Sequence, residues 1–573
     1  MSGNATQATG SLADRFAVWR AGLAKVSREF RSQPEPRSIG LFARGRQLVA
    51  GNFVFAGQLV QAPGTVIWDV AAPAPAFAAE AHCFVWLDDL AAVGDGAARS
   101  RAQDWTYQWI DRYGRGTGPG WTPDLTGRRL IRWVNHSMLL LQGQDRARSD
   151  VWFRALTVQL HFLARRWSRA APGLPRFEAL TGLIVAGLAL EGKAALVRGA
   201  VAALAKDCLR EVDVGGGIPT RNPEELLEVF TLLNWAALAL TEAGHNLPED
   251  VTVAIGRIAP TLRALRHADG GLARFHGGGR GIEGRLDAAL ASSGVRGAAP
   301  AGAVAMGFAR LASGRTTVIV DAAAPPEGRA GGQAHASTLA FELTSGRRPL
   351  IVSCGSGTPF GEDWALAGRA TASHSTLALD GSSSSRLGKG VAGFVARAQV
   401  IALQQANDTH GQHLSAAHDG WRAGHGIVHS RILTLDSQGR RLTGTDMLDA
   451  PQPADRKRVQ NLLARAPEGV GHSVRFHLHP DVDAALDLGG TAVSLALKSG
   501  EIWVFRHDGA AKLTLEPSVY LEKGRLQPRA TKQIVLSGLM AGFETRIGWT
   551  LAKAQDTPLA IRDLDRDELP VPV

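Results

Sequence analysis

Residues 113–136 bring an aromatic ring, a set of guanidiniums and an imidazole into one stretch: Tyr113, Trp121, Arg128, Arg129 and Arg132, then Asn135 and His136. Such a cluster suits an acidic sugar, because the ring stacks while a guanidinium meets the carboxylate. The imidazole of His136 could then move a proton; the Asn-His pair also suits the start of a helix. A second set begins in "GGQAHASTLAFELTSGRRPLIVSCGSGTPF" (331–360). Read as a strand, it puts His335 and Ser337 on one face with Leu339, Phe341 and Leu343. His374 stands just before a second apolar run, "STLALDG". Each imidazole there is a structural hydrogen-bonding group, a metal ligand or a proton carrier. His477 and His479 alternate with Phe476 and Leu478 and line a polar sheet face. Arg221 stands ready to neutralise a carboxylate, whereas Asn222 is read as a helix cap.

The elements that must position these groups fall into two textures. After an opening segment to about residue 120 the first half has a helical period: Trp152, Leu156, Leu160 and Leu163 form one stripe. "NPEELLEVFTLLNWAALALTEAG" opens with Asn222 as cap, Pro223 in the first turn and two glutamates facing the positive dipole end. Successive helices with short loops predict stacked antiparallel hairpins. "HADGGLARFHGGG" (267–279) is a glycine-rich loop without the lysine and following helix of a phosphate loop. Beyond the Gly- and Ala-rich 277–300, short alternating runs separated by turn residues predict an antiparallel β-sandwich. The domains are thus expected at 1–290, helical, and 300–573, β.

Composition narrows the classes. Hydrophobic residues at 45% and charged residues at 20% fit a folded chain rather than a disordered one. No stretch of ~18 apolar residues occurs, so no transmembrane segment is expected. The start lacks the order of a signal peptide, which points to the cytoplasm, with the cell envelope or periplasm as the alternative. Cys83, Cys208 and Cys354 are far apart and read as reduced buried thiols. A formal charge of +10 favours acidic partners. With no helix-turn-helix, zinc finger or aromatic–basic RNA motif, nucleic acid is not expected among them.

Several local stretches resemble the heparinase II/III-like family of polysaccharide lyases. "GGQAHASTLAFELTSGRRPLIVSCGSGT" is similar to the family's G-H-x-H-x-D strand and the strand after it. "ATASHSTLALDG" resembles A-x-H-N-T-L-x-x-D-G, and "AHDGW" and "VRFHLHPDV" fall where similar stretches recur. The resemblance implies an incomplete α/α-toroid followed by an antiparallel β-sandwich. It also implies β-elimination on a uronate-containing glycan: one group neutralises the carboxylate, a base takes the C5 proton and an acid protonates the leaving oxygen. A zinc held by two histidines and an aspartate of the sandwich often accompanies the site.

This chain departs from that pattern residue by residue. The first, catalytic histidine of H-x-H is Gln333, and the second, metal-binding one is His335. The metal aspartate falls at Ser353, and the third histidine is His374. Two imidazoles alone make a weak zinc site. The family's tyrosine and histidine near "PTRNPEELLEVF" become Glu225 and Leu226. The expected function is therefore a lyase acting on an acidic polysaccharide or oligosaccharide. Asn135 or Arg221 would neutralise, His136 would transfer protons, Gln333 would hold the family's catalytic position, and His335 with His374 would organise the site with or without zinc. The alternatives are an impaired protein that binds anionic glycan in the same cleft, and a glycoside hydrolase using Glu225 and a second carboxylate. The oligomeric state is not readable.

Overall fold

The stripe expected from spacing lies along the helix Arg146–Arg166, whose Trp152, Leu156, Leu160 and Leu163 are fully buried. Asp145 caps it by accepting the Arg148 amide, as Asn222 caps Pro223–Glu242 by accepting the amides of Glu224 and Glu225 at 3.0 and 3.2 Å. The computed structural model describes residues 12–297, 302, 304–388 and 393–558. Residues 1–11 of the expected first domain, and residues 300, 301, 303, 389–392 and 559–573 of the expected second, lie outside the described residues.

Among the described residues the first helix is Leu12–Gly22, well before residue 120. The helix Leu174–Ala189 packs against Pro123–Asn135, Pro223–Glu242 and Arg198–Glu211. Its approach to Pro123–Asn135 depends on two glycines. A Cβ on Gly182 would stand 2.4 Å from the Gly127 Cα, so the backbones touch where any side chain would part them. Beside this contact, Trp86, Trp105, Trp109, Trp121, Trp133 and Trp152 are each no more than 1% exposed and build an aromatic core. A hairpin, Asn52–Phe55 with Gln58–Gln61, interrupts the helices early.

The helical half ends at Arg285–Ser293 and strands begin at Phe308–Ser313. One sheet runs in space Val400–Asn407, Gly411–Trp421, Ile427–Asp436, Arg441–Asp449, Glu544–Gln555, Ile502–His507, Ala492–Ala496, Asp483–Asp487. The other runs Lys512–Tyr520, Arg529–Met540, Val470–Leu478, Arg348–Val352, Phe341–Ser345, Thr316–Asp321, Phe308–Ser313, with Leu377–Leu379 also paired to Val470–Leu478. All these pairings are antiparallel, as alternation implies. Apolar faces meet between the sheets, with the Phe341 and Trp549 rings stacked at 5.8 Å. The architecture is therefore the expected one, a helical incomplete toroid followed by an antiparallel sandwich. Its two cores are joined: Phe308, Ile319 and Ala340 of the sandwich pack into the helical core.

His335 is not on a strand. Gly328–Gln333 forms a 3-10 turn, Leu339 sits at φ +64°, and the strand starts only at Phe341. The left-handed Leu339 breaks the alternation that placed His335 and Phe341 on one face.

Candidate functional site

The glycine-rich stretch 267–279 is the wedge between the domains. Its Arg274 amide donates to Glu342 Oε2 at 3.0 Å, and its guanidinium donates to the Leu521 carbonyl at 2.6 Å and lies over the Tyr520 ring at 4.0 Å. Two residues on, His276 takes φ +48° and turns its ring into the sandwich. Its Nδ1 accepts the His335 amide at 3.2 Å, while its Nε2 lies 3.4 Å from Asp321 Oδ2. Asp321 also receives the Ser337 hydroxyl at 2.6 Å and the Arg221 guanidinium at 2.5 Å. Burial alone would raise this carboxyl, but Arg221 and His276 outweigh it and hold it ionised far below the usual range.

His335 and His374 do come together, with ring centroids 5.2 Å apart. They meet inside the protein, however: His335 is 2% exposed and His374 is fully buried. Ser353 Oγ is 3.0 Å from His374 Nδ1, so the serine at the family's aspartate position serves as an internal hydrogen-bond partner. Burial pushes His374 down to about 3 and His335 well below its usual value, the second helped by the neighbouring imidazoles. Both rings are neutral at neutral pH. Among the described residues His335 Nδ1 has no hydrogen-bond partner, and no three His, Cys, Asp or Glu side chains converge to hold a metal ion. The donor set falls short of a zinc site.

Gln333 is exposed and accepts the Thr358 hydroxyl at 3.1 Å, in contact range of the wedge at Gly277. An amide there cannot donate or take a proton at ordinary pH. Arg221 is spent within the fold: besides Asp321, its guanidinium donates to the carbonyls of Met306, Gly307 and Ala324 and stacks 4.6 Å over Phe308. Five acceptors, counting the Ala323 carbonyl at 3.3 Å, leave it no fork for a substrate carboxylate.

The 113–136 cluster is also largely internal, which corrects the sugar-facing reading of several members. Trp121 is buried and donates to the Tyr113 carbonyl at 2.7 Å. Tyr113 is half-buried, its ring edge-on to His82 at 4.8 Å. Arg129 is fully buried 4.2 Å over Trp109, donating to the carbonyls of His82 and Gly120; burial pushes it down to about 9. Arg128 pairs with Glu178 at 3.5 Å. Asn135 is buried in the helix it ends. His136 Nε2 is 2.7 Å from Asp88, which Arg132 and Ser38 also hold. Every one of these partners belongs to the helical domain, so neither Asn135 nor His136 reaches the inter-domain groups. Alternation and spacing could not separate an interior arginine–tryptophan stack from an exposed one.

Arg132, itself buried, borders a cavity of about 290 Å³, which Asp88, Arg44, Asp89, Trp235 and Arg285 also line. Arg132 lies 5.6 Å from the Trp235 ring centre. Burial pushes Asp89 up to about 6 even though it accepts the Leu41 amide. His276, Asp321, Ser337 and this cavity were missed from sequence. The composition shift at 267–279 was the one available signal for His276.

His477 and His479 are buried rather than on a polar face. His477 Nε2 is 3.0 Å from the Ala372 carbonyl, and its Nδ1 faces Ser518 and Cys354. Cys83, Cys208 and Cys354 are free and buried. Among the described residues no helix is long and apolar enough to cross a membrane.

Comparison with known proteins fits this geometry. Residues 295–550 match the family described as Heparinase II/III-like, C-terminal. The FtsZ-localized protein C of Caulobacter vibrioides is 31% identical over 536 residues, covering 91% of this chain and 89% of that protein. The crystal structure of heparinase III superposes with TM-score 0.65 at 12% identity over 95% of this chain and 85% of that one. A mutant of the heparan sulfate lyase HepC from Pedobacter heparinus gives 0.58 at 14% identity over 95% and 88%. At that identity the two structures establish the fold alone.

Proposed function

The chain belongs to the heparinase II/III-like family, and from that premise we propose that it is a polysaccharide-lyase-like protein that binds an acidic glycan without cleaving it. The observation that carries this reading is the state of the family's reaction position. Gln333 replaces the catalytic histidine, Arg221 is fully engaged by Asp321 and four carbonyls, and His335 and His374 are neutral and buried. β-Elimination needs a carboxylate neutraliser, a base and an acid at one sugar. Here the neutraliser is consumed, the base tyrosine is absent and the acid is an amide.

Anion recognition survives elsewhere. The cavity beside Arg132 also holds Asp88, which takes that guanidinium, and Asp89; the exposed Arg44, with the Trp235 ring and Asn234, is the group there that suits a carboxylate-bearing sugar of one or two rings. Zinc has no part in this reading. We further propose that this chain works where FtsZ is found, a reading supported by the likeness to the FtsZ-localized protein C.

Titration of uronate oligosaccharides into the protein tests the reading. Binding is expected without new ultraviolet absorbance. Arg44→Ala, at an exposed position on the cavity wall, weakens it about tenfold through loss of a charge-assisted hydrogen bond. No measurable binding to any acidic glycan, or binding indifferent to Arg44→Ala and Trp235→Ala alike, would overturn it.

A further inference from the structure

The helix Leu12–Gly22 is packed inside out. Its small residues, Ala17, Val18 and Ala21, face the protein. Its large apolar residues face away: Leu12 is 83% exposed, Phe16 58%, Trp19 62%, and Leu23, one residue past the helix end, 71%. At ~100° per residue these four project within an arc of about 60°, a single ridge with the Phe16 and Trp19 rings stacked at 5.6 Å. Arg15 and Arg20 stand on either side of that ridge, and Lys25 follows it; all three are exposed. None of the three makes an ion pair among the described residues, whereas Asp14, on the opposite side, is taken by Arg166 at 2.7 Å.

We propose that this ridge docks on an anionic lipid bilayer, lying in the headgroup layer with Phe16, Trp19 and the two leucines inserted and the flanking cations on lipid phosphates. Three observations select this occupant. The feature is a convex ridge rather than a groove, and four side chains fall far short of the ~20 residues a side of a stable protein interface. Tryptophan beside leucine and phenylalanine is the composition of a segment that sits at the membrane–water boundary. The cations bracket the apolar stripe, the charge pattern that adds attraction to anionic headgroups where apolar area alone gives only marginal binding. The inference does not depend on glycan binding, since the ridge shares no residue with the cavity beside Arg132.

Sedimentation of the full chain with vesicles tests it, using equal parts phosphatidylglycerol and phosphatidylcholine against phosphatidylcholine alone. The protein is expected to pellet with the anionic vesicles and to release as salt is raised. Phe16→Ser/Trp19→Ser should weaken binding on the order of 100-fold, with an unchanged circular dichroism spectrum because both side chains are exposed. Arg15→Glu/Arg20→Glu should remove the preference for phosphatidylglycerol. Absence of pelleting with anionic vesicles overturns the proposal, and so does pelleting that Phe16→Ser/Trp19→Ser leaves intact. A lipid-free dimer in analytical ultracentrifugation that the same variant dissociates would assign the ridge to a second copy instead.

Discussion

The imidazole of His374 shows what the interior does to a group that chemistry would want charged. Its folded value lies near 3 against an ordinary 6.5, with burial as the main cause. The unfolded chain therefore binds a proton between those limits that the native protein refuses. Stability carried by neutral His374 is complete above about pH 6.5 and declines as pH falls towards 3. Asp89 and Glu178, raised by burial to about 6 and about 7, act in the opposite sense over part of that range. The single site is isolated by comparing wild type with His374→Gln in urea unfolding at pH 7.5 and pH 5. The wild type should lose about 2 kcal/mol more than the variant over that interval; equal losses would show that His374 titrates normally. The same pair bears on metal. Purified protein should contain well under one zinc per chain by elemental analysis, because Ser353 supplies a hydroxyl where a third ligand is needed. A full equivalent retained through chelator dialysis would contradict this.

At the scale of elements, the Gly127–Gly182 crossing fixes how two central helices meet. Gly182→Ala is expected to destabilise the protein by about 1–3 kcal/mol, because a methyl at 2.4 Å must push apart backbones that carry the aromatic core. Thermal melting checks this, and an unchanged midpoint would mean that the helices separate freely. Elements were also what the sequence disclosed best. The stripe through Trp152 and Leu163, the Asn222 cap and the alternating runs follow from side-chain period and capping chemistry, which are local. Placement against the rest of the chain is not local. Leu12, Phe16, Trp19 and Leu23 have a spacing that fits a core-facing helix as well as a ridge in solvent. His335 left its supposed strand because Leu339 turns left-handed, which no alternation rule anticipates. Arg129 and Trp121 look like a sugar platform until Trp109 is found beneath them.

For the whole molecule, the domains are joined by charge as well as by apolar packing. Arg221 of the helical half and Asp321 of the sandwich form a buried pair, with Ser337 and His276 on the same carboxylate. Arg221→Ala would remove the guanidinium from the buried Asp321 carboxylate and leave only the His276 imidazole and the Ser337 hydroxyl beside it, and should cost about 3–5 kcal/mol. The loss should appear in urea unfolding as one transition at lower midpoint, since the helical core runs on into Phe308 and Ile319. The guanidinium of Arg221 thus holds the domains together, and the function proposed above claims that the fold has outlasted the chemistry of its family. That claim is tested most directly by incubating the protein with heparan sulfate, chondroitin sulfate and other uronate polymers while following the ultraviolet absorbance of unsaturated uronate ends. A flat trace at protein concentrations that bind the polymer is the expected result. A steady rise that stops when Gln333 or His335 is replaced would contradict it.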